Sequence, residues 1–331
     1  MQKMAILGLG SYLPDTVLTN EDLSHSLETS DEWITSRTGI RQRHLLSEGQ
    51  HNTDMGLVAA QKALSEAGLT PSDLTHVLYA TCTGEMVSPA SACILCDKLG
   101  VTGAFALDIN AACSGFLYGL VLARGLVAAD PEAKVLLVAS EALSTRLNWN
   151  DRSTSVLFGD GCGVAVLGAD SASGTSLGLL LDIETASDGS LGSLLYFGGA
   201  PASGKCYVEG DSIGPEYFIQ MNGRDIFKHA VRSMATISKD VLDRNNLTID
   251  DIDLVVPHQA NLRIIEAVGS RLGVASNKVF VNVDTTGNTS AASIPIALDD
   301  ARCRGALRKG MTVLVSTFGG GLTWGAALLR F

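Results

Sequence analysis

The chain repeats itself. Thr70-Pro-Ser-Asp-Leu-Thr-His-Val-Leu-Tyr-Ala80 returns as Thr248-Ile-Asp-Asp-Ile-Asp-Leu-Val-Val-Pro-His258, and both place an acidic turn before an apolar run. Leu99-Gly100-Val101, ahead of Phe105-Ala-Leu-Asp-Ile-Asn110, returns as Leu272-Gly273-Val274 ahead of Val279-Phe-Val-Asn-Val283. Val135-Leu-Leu-Val-Ala-Ser140 returns as Val313-Leu-Val-Ser-Thr317, and the offset stays between 173 and 178 residues. Two copies are too few for a solenoid, so they predict a fused pair of similar α/β halves. Runs of Val, Leu and Ile alternate with helical patterns such as Asp54–Ala67, which predicts βαβ units with mainly parallel, buried strands. The join is expected in the small-residue stretch Gly168–Gly178, dividing the chain into residues 1–172 and 173–331.

A duplicated fold brings equivalent strand ends together, where open α/β sheets place their sites. Three residues with chemical potential fall there. Cys113, in Asp108-Ile-Asn-Ala-Ala-Cys-Ser-Gly-Phe116, lies between a strand and the apolar helical segment Gly115–Ala129. A helix N-terminus favours a thiolate, and the small neighbours permit a tight elbow. A buried structural Cys is the bland alternative, which the strand-to-helix position disfavours. His258 follows the apolar run ending in Pro257, whereas His25, His44, His51, His76 and His229 read as structural or solvated. Phe105 to Cys113 and Phe280 to Asn288 are both eight residues, so Asn288 is expected at the Cys113-equivalent elbow; a turn-forming Asn after Gly287 reads equally well. Phe318-Gly-Gly-Gly-Leu-Thr-Trp-Gly325 allows backbone angles that aim an N–H at a ligand oxygen, or simply a tight turn. Gly8-Leu-Gly10 lacks a third glycine, and Cys93-x-x-Cys96 lacks a second pair, so both are read as packing.

Charge and cysteine usage exclude several classes. With 24 basic against 35 acidic residues and a net charge of −11, the chain has no global field for nucleic acid or anionic lipid. Seven scattered cysteines, at 82, 93, 96, 113, 162, 206 and 303, suggest reduced thiols and a cytoplasmic setting. The N-terminus runs directly into a strand-like segment without a signal-peptide pattern. Gly115–Ala129, interrupted by Arg124, is expected to be too short for a membrane span.

Six segments together carry a resemblance: Asp31–Ile40, Asp108–Phe116, Asp151–Gly161, His258–Ile264, Gly287–Pro295 and Phe318–Phe331. In this order, over essentially the whole chain, they resemble the β-ketoacyl-acyl-carrier-protein synthase III family. The resemblance implies a thiolase-like fold, two similar halves in five αβαβα layers. It implies a decarboxylating condensation that initiates fatty acid biosynthesis, with Cys113 taking an acyl group from coenzyme A. Malonyl on acyl carrier protein then loses CO₂, and its carbanion attacks the thioester. His258 and Asn288 would stabilise the enolate, and the backbone N–H groups of Cys113 and Gly320 would form the other oxyanion hole.

The same resemblance implies that Trp33 and Arg152 sandwich the adenine of coenzyme A, that Arg37 neutralises phosphate, and that Gly223 and Asn261 line the pantetheine channel. A homodimer is implied, with no metal or redox cofactor. The bulky aromatic of acetyl-selective relatives is replaced by Ser88, in a loop donated across the dimer, which with Phe318 bears on the acyl pocket. Arg224, Lys228 and Arg232 recur every four residues, and Arg263 and Arg271 form a second stripe. Such stripes are usually solvated helix faces, but an acidic carrier protein gives them a use. The rival readings are a cysteine hydrolase or thioesterase using the same triad, a hydroxymethylglutaryl-CoA synthase, an inactive scaffold, against which the presence of all three residues argues, and a related condensing enzyme of secondary metabolism. The second needs a carboxylate near the start of the Cys82 loop, where this chain has Cys82 itself.

Overall fold

The computed structural model describes residues 3–170, 176–198 and 214–331. Among them, nine strands form one continuous sheet. In chain order they are β1 (Met4–Tyr12), β2 (His76–Ala80), β3 (Phe105–Ile109), β4 (Val135–Glu141), β5 (Gly161–Ala169), β6 (Gly178–Ser187), β7 (Leu254–Pro257), β8 (Thr312–Gly319) and β9 (Thr323–Arg330). The order across the sheet is β7-β8-β9-β6-β1-β5-β4-β2-β3. The repeat is visible in the pairing. In the first half β2 lies parallel to β3 and β4, with β4, β5 and β1 antiparallel in turn. In the second β7 is parallel to β8, Val255 makes a parallel bridge to Val279, and β8, β9 and β6 are antiparallel in turn. The halves join where β1 meets β6, through Ala5↔Leu179 and Ile6↔Gly178. The expected boundary between 172 and 173 lies outside the described residues.

Alternation along the strands builds the layers, because successive side chains point to opposite faces. Val77 and Tyr79 of β2 pack outward with Met55, Ala59 and Ala63 of α1 (Asn52–Ala67) and Leu95 of α2 (Ser91–Leu99). Leu78 and Ala80 point inward to a core shared by both halves. That core contains Phe116, Leu117 and Leu120 of α3 (Gly115–Ala129), Ile294 and Leu298 of α6 (Ser293–Cys303), and Val256, Val313 and Ala327 from the second half. On the far side Val255, Leu314 and Leu328 meet Ile226 and Met234 of α4 (Gly223–Arg244) and Ile264 and Val268 of α5 (Leu262–Leu272). Five αβαβα layers result, with α3 and α6 in the middle.

The central position of α3 explains its composition. Counting the turn before it, Ala112–Ala129 is long and apolar enough to cross a bilayer, longer than the sequence suggested. Half of it is buried, with Phe116, Leu117, Leu120, Ala123 and Val127 in the core, while Leu122 and Arg124 are exposed. Gly8 and Gly10 are packing residues, as expected: a Cβ on either would stand 2.1 or 2.4 Å from a carbonyl oxygen of α1.

Candidate active site

Two elbows meet at the centre of the molecule. In the first half β3 leads through Ala112 (φ +45°) and the turn Ala112–Ser114 into α3. In the second, Ser290 (φ +50°) and the turn Ser290–Ala292 lead into α6. These elbows are 178 residues apart, so the position equivalent to Cys113 is Ala291, not Asn288 as the spacing suggested. The strand pairing gives the reason. Val77 pairs with Ala106 and Val255 with Val279, a local offset of 173, so the second half carries five extra residues before its elbow. That insertion, through the short helix Val283–Thr286, delivers Asn288 to the site.

Asn288 is buried, and its Oδ1 accepts from the Ser290 N–H at 3.0 Å, which leaves the Nδ2 donors outward. His258 follows β7, with its backbone N–H donating to Ser316 O at 2.8 Å. Gln259 fixes the turn by donating to Pro257 O and Phe280 O and accepting from the N–H groups of Asn282 and Val283. The His258 ring is 3% exposed, and its Nδ1 is enclosed without a partner. Burial pushes its pKa down to about 4. The ring is neutral near pH 7.

The second half also grips the elbow of the first. Thr317 Oγ1 donates to Cys113 O and Thr323 Oγ1 to Ala111 O, each at 2.9 Å. Burial pushes the Cys113 thiol up to about 11, against the expectation of a helix-activated resting thiolate. The elbow turn separates Cys113 from the first residue of α3, and burial outweighs the dipole. Gly319 lies against Cys113, where a Cβ would stand 2.7 Å from the Cys113 nitrogen. Gly319→Ala should therefore displace the elbow, costing about 1–3 kcal/mol of stability. Acylation of Cys113 should fall at least tenfold. Thermal melts and acylation followed by mass spectrometry check both effects.

Cys113 stands between two chambers. The first, about 680 Å³, is lined by Cys113, His258 and Asn288, and also by Phe318, Arg37, Gly223 and Asn261. Arg224, Lys228 and Arg263 line it too. The second, about 670 Å³, is lined by Cys113, Gly320, Cys82, Leu143, Phe197 and Ile219. Phe318 thus belongs to the chamber of His258, and Ser88 lines neither. Ser88 is exposed on a loop whose Met86 and Val87 do reach the second chamber.

The remaining expected residues are divided. Arg152 stacks on Trp33 with its guanidinium carbon 4.5 Å from the ring centroid, and Arg37 lies 5.7 Å away. The pair expected to sandwich adenine is therefore closed upon itself, because a cation and an indole face attract each other. Asn261 caps α5, accepting from Ile264 N–H at 3.0 Å. The proposed charge stripe on α4 splits. Arg224 and Lys228 face the first chamber, whereas Arg232 lines a separate cavity with His229 and Asp188. Lys228 is paired with Asp225 at 3.1 Å, and Arg271 lines none of these three cavities.

Sequence reasoning missed Glu141 at the end of β4. It is wholly buried, and it accepts hydrogen bonds from Ser290 Oγ at 3.1 Å, Thr83 Oγ1 at 2.5 Å and Cys82 N–H at 3.2 Å. A carboxylate does stand beside Cys82, though it comes from another strand. The available signal was a charged residue directly following an apolar strand run.

Two family models match this chain: 3-oxoacyl-[acyl-carrier-protein (ACP)] synthase III over residues 107–189, and the C terminal of the same synthase over residues 242–331. The β-ketoacyl-[acyl-carrier-protein] synthase III of Nitratidesulfovibrio vulgaris strain DP4 is 60% identical over 324 residues, 98% of each chain. The crystal structure of 3-oxoacyl-[acyl-carrier-protein] synthase III from Aquifex aeolicus VF5 superimposes with a TM-score of 0.89 at 43% identity, covering 99% of this chain and 100% of that one. The enzyme from Pseudomonas aeruginosa PAO1 gives 0.90 at 40% identity, covering 99% and 98%. With its duplicated sheet and its Cys, His and Asn on one chamber, the chain belongs to the β-ketoacyl-acyl-carrier-protein synthase III family.

Proposed function

We propose that the protein joins an acyl primer from coenzyme A to malonyl on acyl carrier protein, through a thioester on Cys113. The observation that carries this reading is the position of Cys113 on both chambers, with His258 and Asn288 on only one. Acyl transfer needs a sulfur nucleophile with an oxyanion hole, for which the N–H groups of Cys113 and Gly320 serve. The primer chain then occupies the second chamber, among Leu143, Phe197 and Ile219. Malonyl enters the first. Loss of CO₂ leaves an enolate, whose oxygen takes hydrogen bonds from Asn288 Nδ2 and from His258 Nε2–H, the ring nitrogen not enclosed. The carbanion attacks the thioester carbon, and Cys113 leaves as a thiolate.

The same chamber suits the pantetheine arm, passing Gly223 and Asn261 toward Arg37. Arg152 must swing from Trp33 to admit adenine, which its exposed position permits. At the mouth Arg263 and Arg224 attract an acidic carrier protein, with Lys228 partly neutralised by Asp225. A cysteine hydrolase is less well supported. It needs a thiolate–imidazolium pair, whereas burial holds the Cys113 thiol up and His258 down. The cytoplasm is the compartment this reading assigns, since the catalytic thiol must stay reduced.

The edge strand supports a homodimer. β3 ends the sheet with Phe105 51% and Leu107 40% exposed, beside the exposed Met86 and Val87. An uncovered apolar edge invites a second copy, which would also bring the Ser88 loop to the partner's primer chamber. Leu107→Glu should give monomers by light scattering, with weaker primer use. The functional reading itself is tested by incubation with a panel of acyl-CoAs. Mass spectrometry should find a stable acyl group on Cys113, released as β-ketoacyl product only when malonyl-carrier protein is added. Rapid release to water without malonyl would favour the hydrolase.

A further inference from the structure

We propose that the proton of the Cys113 thiol leaves through the Ser290 hydroxyl to the buried carboxylate of Glu141, and that this wire generates the attacking thiolate. The inference rests on the reading of Cys113 as the acyl-accepting nucleophile. Ser290 Oγ donates to Glu141 Oε1 at 3.1 Å and lines the second chamber with Cys113 and Cys82, where its hydroxyl favours the Cys113 thiolate. A hydroxyl that gives its proton to a carboxylate has lone pairs left for a thiol S–H.

The other partners of Glu141 are all donors. They are Thr83 Oγ1, Thr81 Oγ1 at 3.3 Å, Cys82 N–H and the Cys82 thiol at 3.2 Å. Thr83 Oγ1 already accepts from Ala142 N–H at 2.8 Å, so its own proton is directed at Glu141. The titratable groups facing the carboxylate are the thiols of Cys82 and Cys113, and no cation pairs with it among the described residues. Such a group is costly to bury unless the site uses it.

Charge balance explains its use. Burial raises the Glu141 carboxyl, and the Glu141 charge opposes thiolate formation at Cys113. One proton therefore serves two groups. When it moves, the S–H bond breaks and an O–H bond forms on Ser290, while the Ser290 proton passes to Glu141. The site holds one negative charge before and after, so no second charge is buried. The thiolate then attacks the acyl carbonyl, and the proton returns by the same route to the departing coenzyme A sulfur. Glu141 is a positioning and proton-holding residue; Ser290 relays the proton between it and the sulfur.

The experiment measures the rate of Cys113 acylation by acetyl-CoA from about pH 5.5 to pH 10, in wild type, Ser290→Ala and Glu141→Gln. Ser290→Ala is a mild change, because the equivalent elbow already carries Ala112 at nearly the same φ. Both variants should acylate roughly a hundredfold more slowly near pH 7. Their rates should then climb about tenfold per pH unit as the thiol ionises directly, closing on wild type in alkali. Wild type should show a shallower profile, levelling once Glu141 is ionised. If Glu141→Gln fails to fold, Ser290→Ala decides alone. Wild type that forms no acyl-Cys113 would refute the functional reading. Wild type that acylates, with variants keeping its profile within threefold, would refute the wire alone.

Discussion

Cys113→Ser should keep the fold and its affinity for coenzyme A while losing acyl transfer by at least about a thousandfold. The substitution removes little volume from a site only 7% exposed. The new hydroxyl can donate to Ser290, so no buried polar group is orphaned. What it loses is acidity and softness. Burial already holds the native thiol up to about 11, and a serine hydroxyl in the same place lies far beyond reach of a carboxylate acceptor. Thermal melts within a few degrees of wild type, coenzyme A binding by calorimetry and absence of an acyl adduct by mass spectrometry are the three readouts. Retained condensation would remove Cys113 from its role. Decarboxylation of malonyl-carrier protein should survive in part, since His258 and Asn288 are unchanged on the first chamber.

The contrast between what was legible and what was not follows from how local each signal is. The strand repeat could be read because burial imposes its apolar pattern residue by residue, and Leu78, Val256 and their neighbours obey it. Cys113 and His258 could be placed because His258 directly follows a strand and Cys113 lies in the short turn between a strand and a helix. Asn288 was found for a partly wrong reason. Its eight-residue spacing matched that of Cys113, while the structure makes Ala291 the equivalent and Asn288 the product of an insertion. Ser88 and the closed Trp33–Arg152 stack depend on side-chain positions between distant segments, which no spacing encodes. Glu141 is the clearest case. Its partners Thr81, Cys82 and Thr83 follow β2, the strand paired with β4, while Ser290 comes from the elbow of the second half. A lone Glu at a strand end reads as a solvated terminus until the second half is folded over it.

His258→Ala and Asn288→Ala should each leave acylation of Cys113 close to normal, yet slow malonyl decarboxylation by about a hundredfold or more, or roughly 2.7 kcal/mol of transition-state stabilisation. The enolate oxygen gains charge only as CO₂ departs, so a donor there strengthens selectively in the transition state. Each residue is prepared for that task differently. The Ser290 N–H holds the Asn288 amide so that Nδ2 faces outward, whereas His258 is held by the bonds around Gln259 and kept neutral by burial. Because its pKa sits at about 4, imidazole keeps one N–H throughout ordinary pH. Decarboxylation by pre-acylated enzyme should then be flat from about pH 5.5 to about pH 8, unlike acylation through Glu141. Asn288→Asp makes the sharper test: an acceptor-only carboxylate would repel the enolate, so it should fall below Asn288→Ala. Single-turnover assays that separate acylation from CO₂ release measure both steps. A folded His258→Ala variant that cannot be acylated would instead make the imidazole the base for Cys113, and would overturn this division of labour.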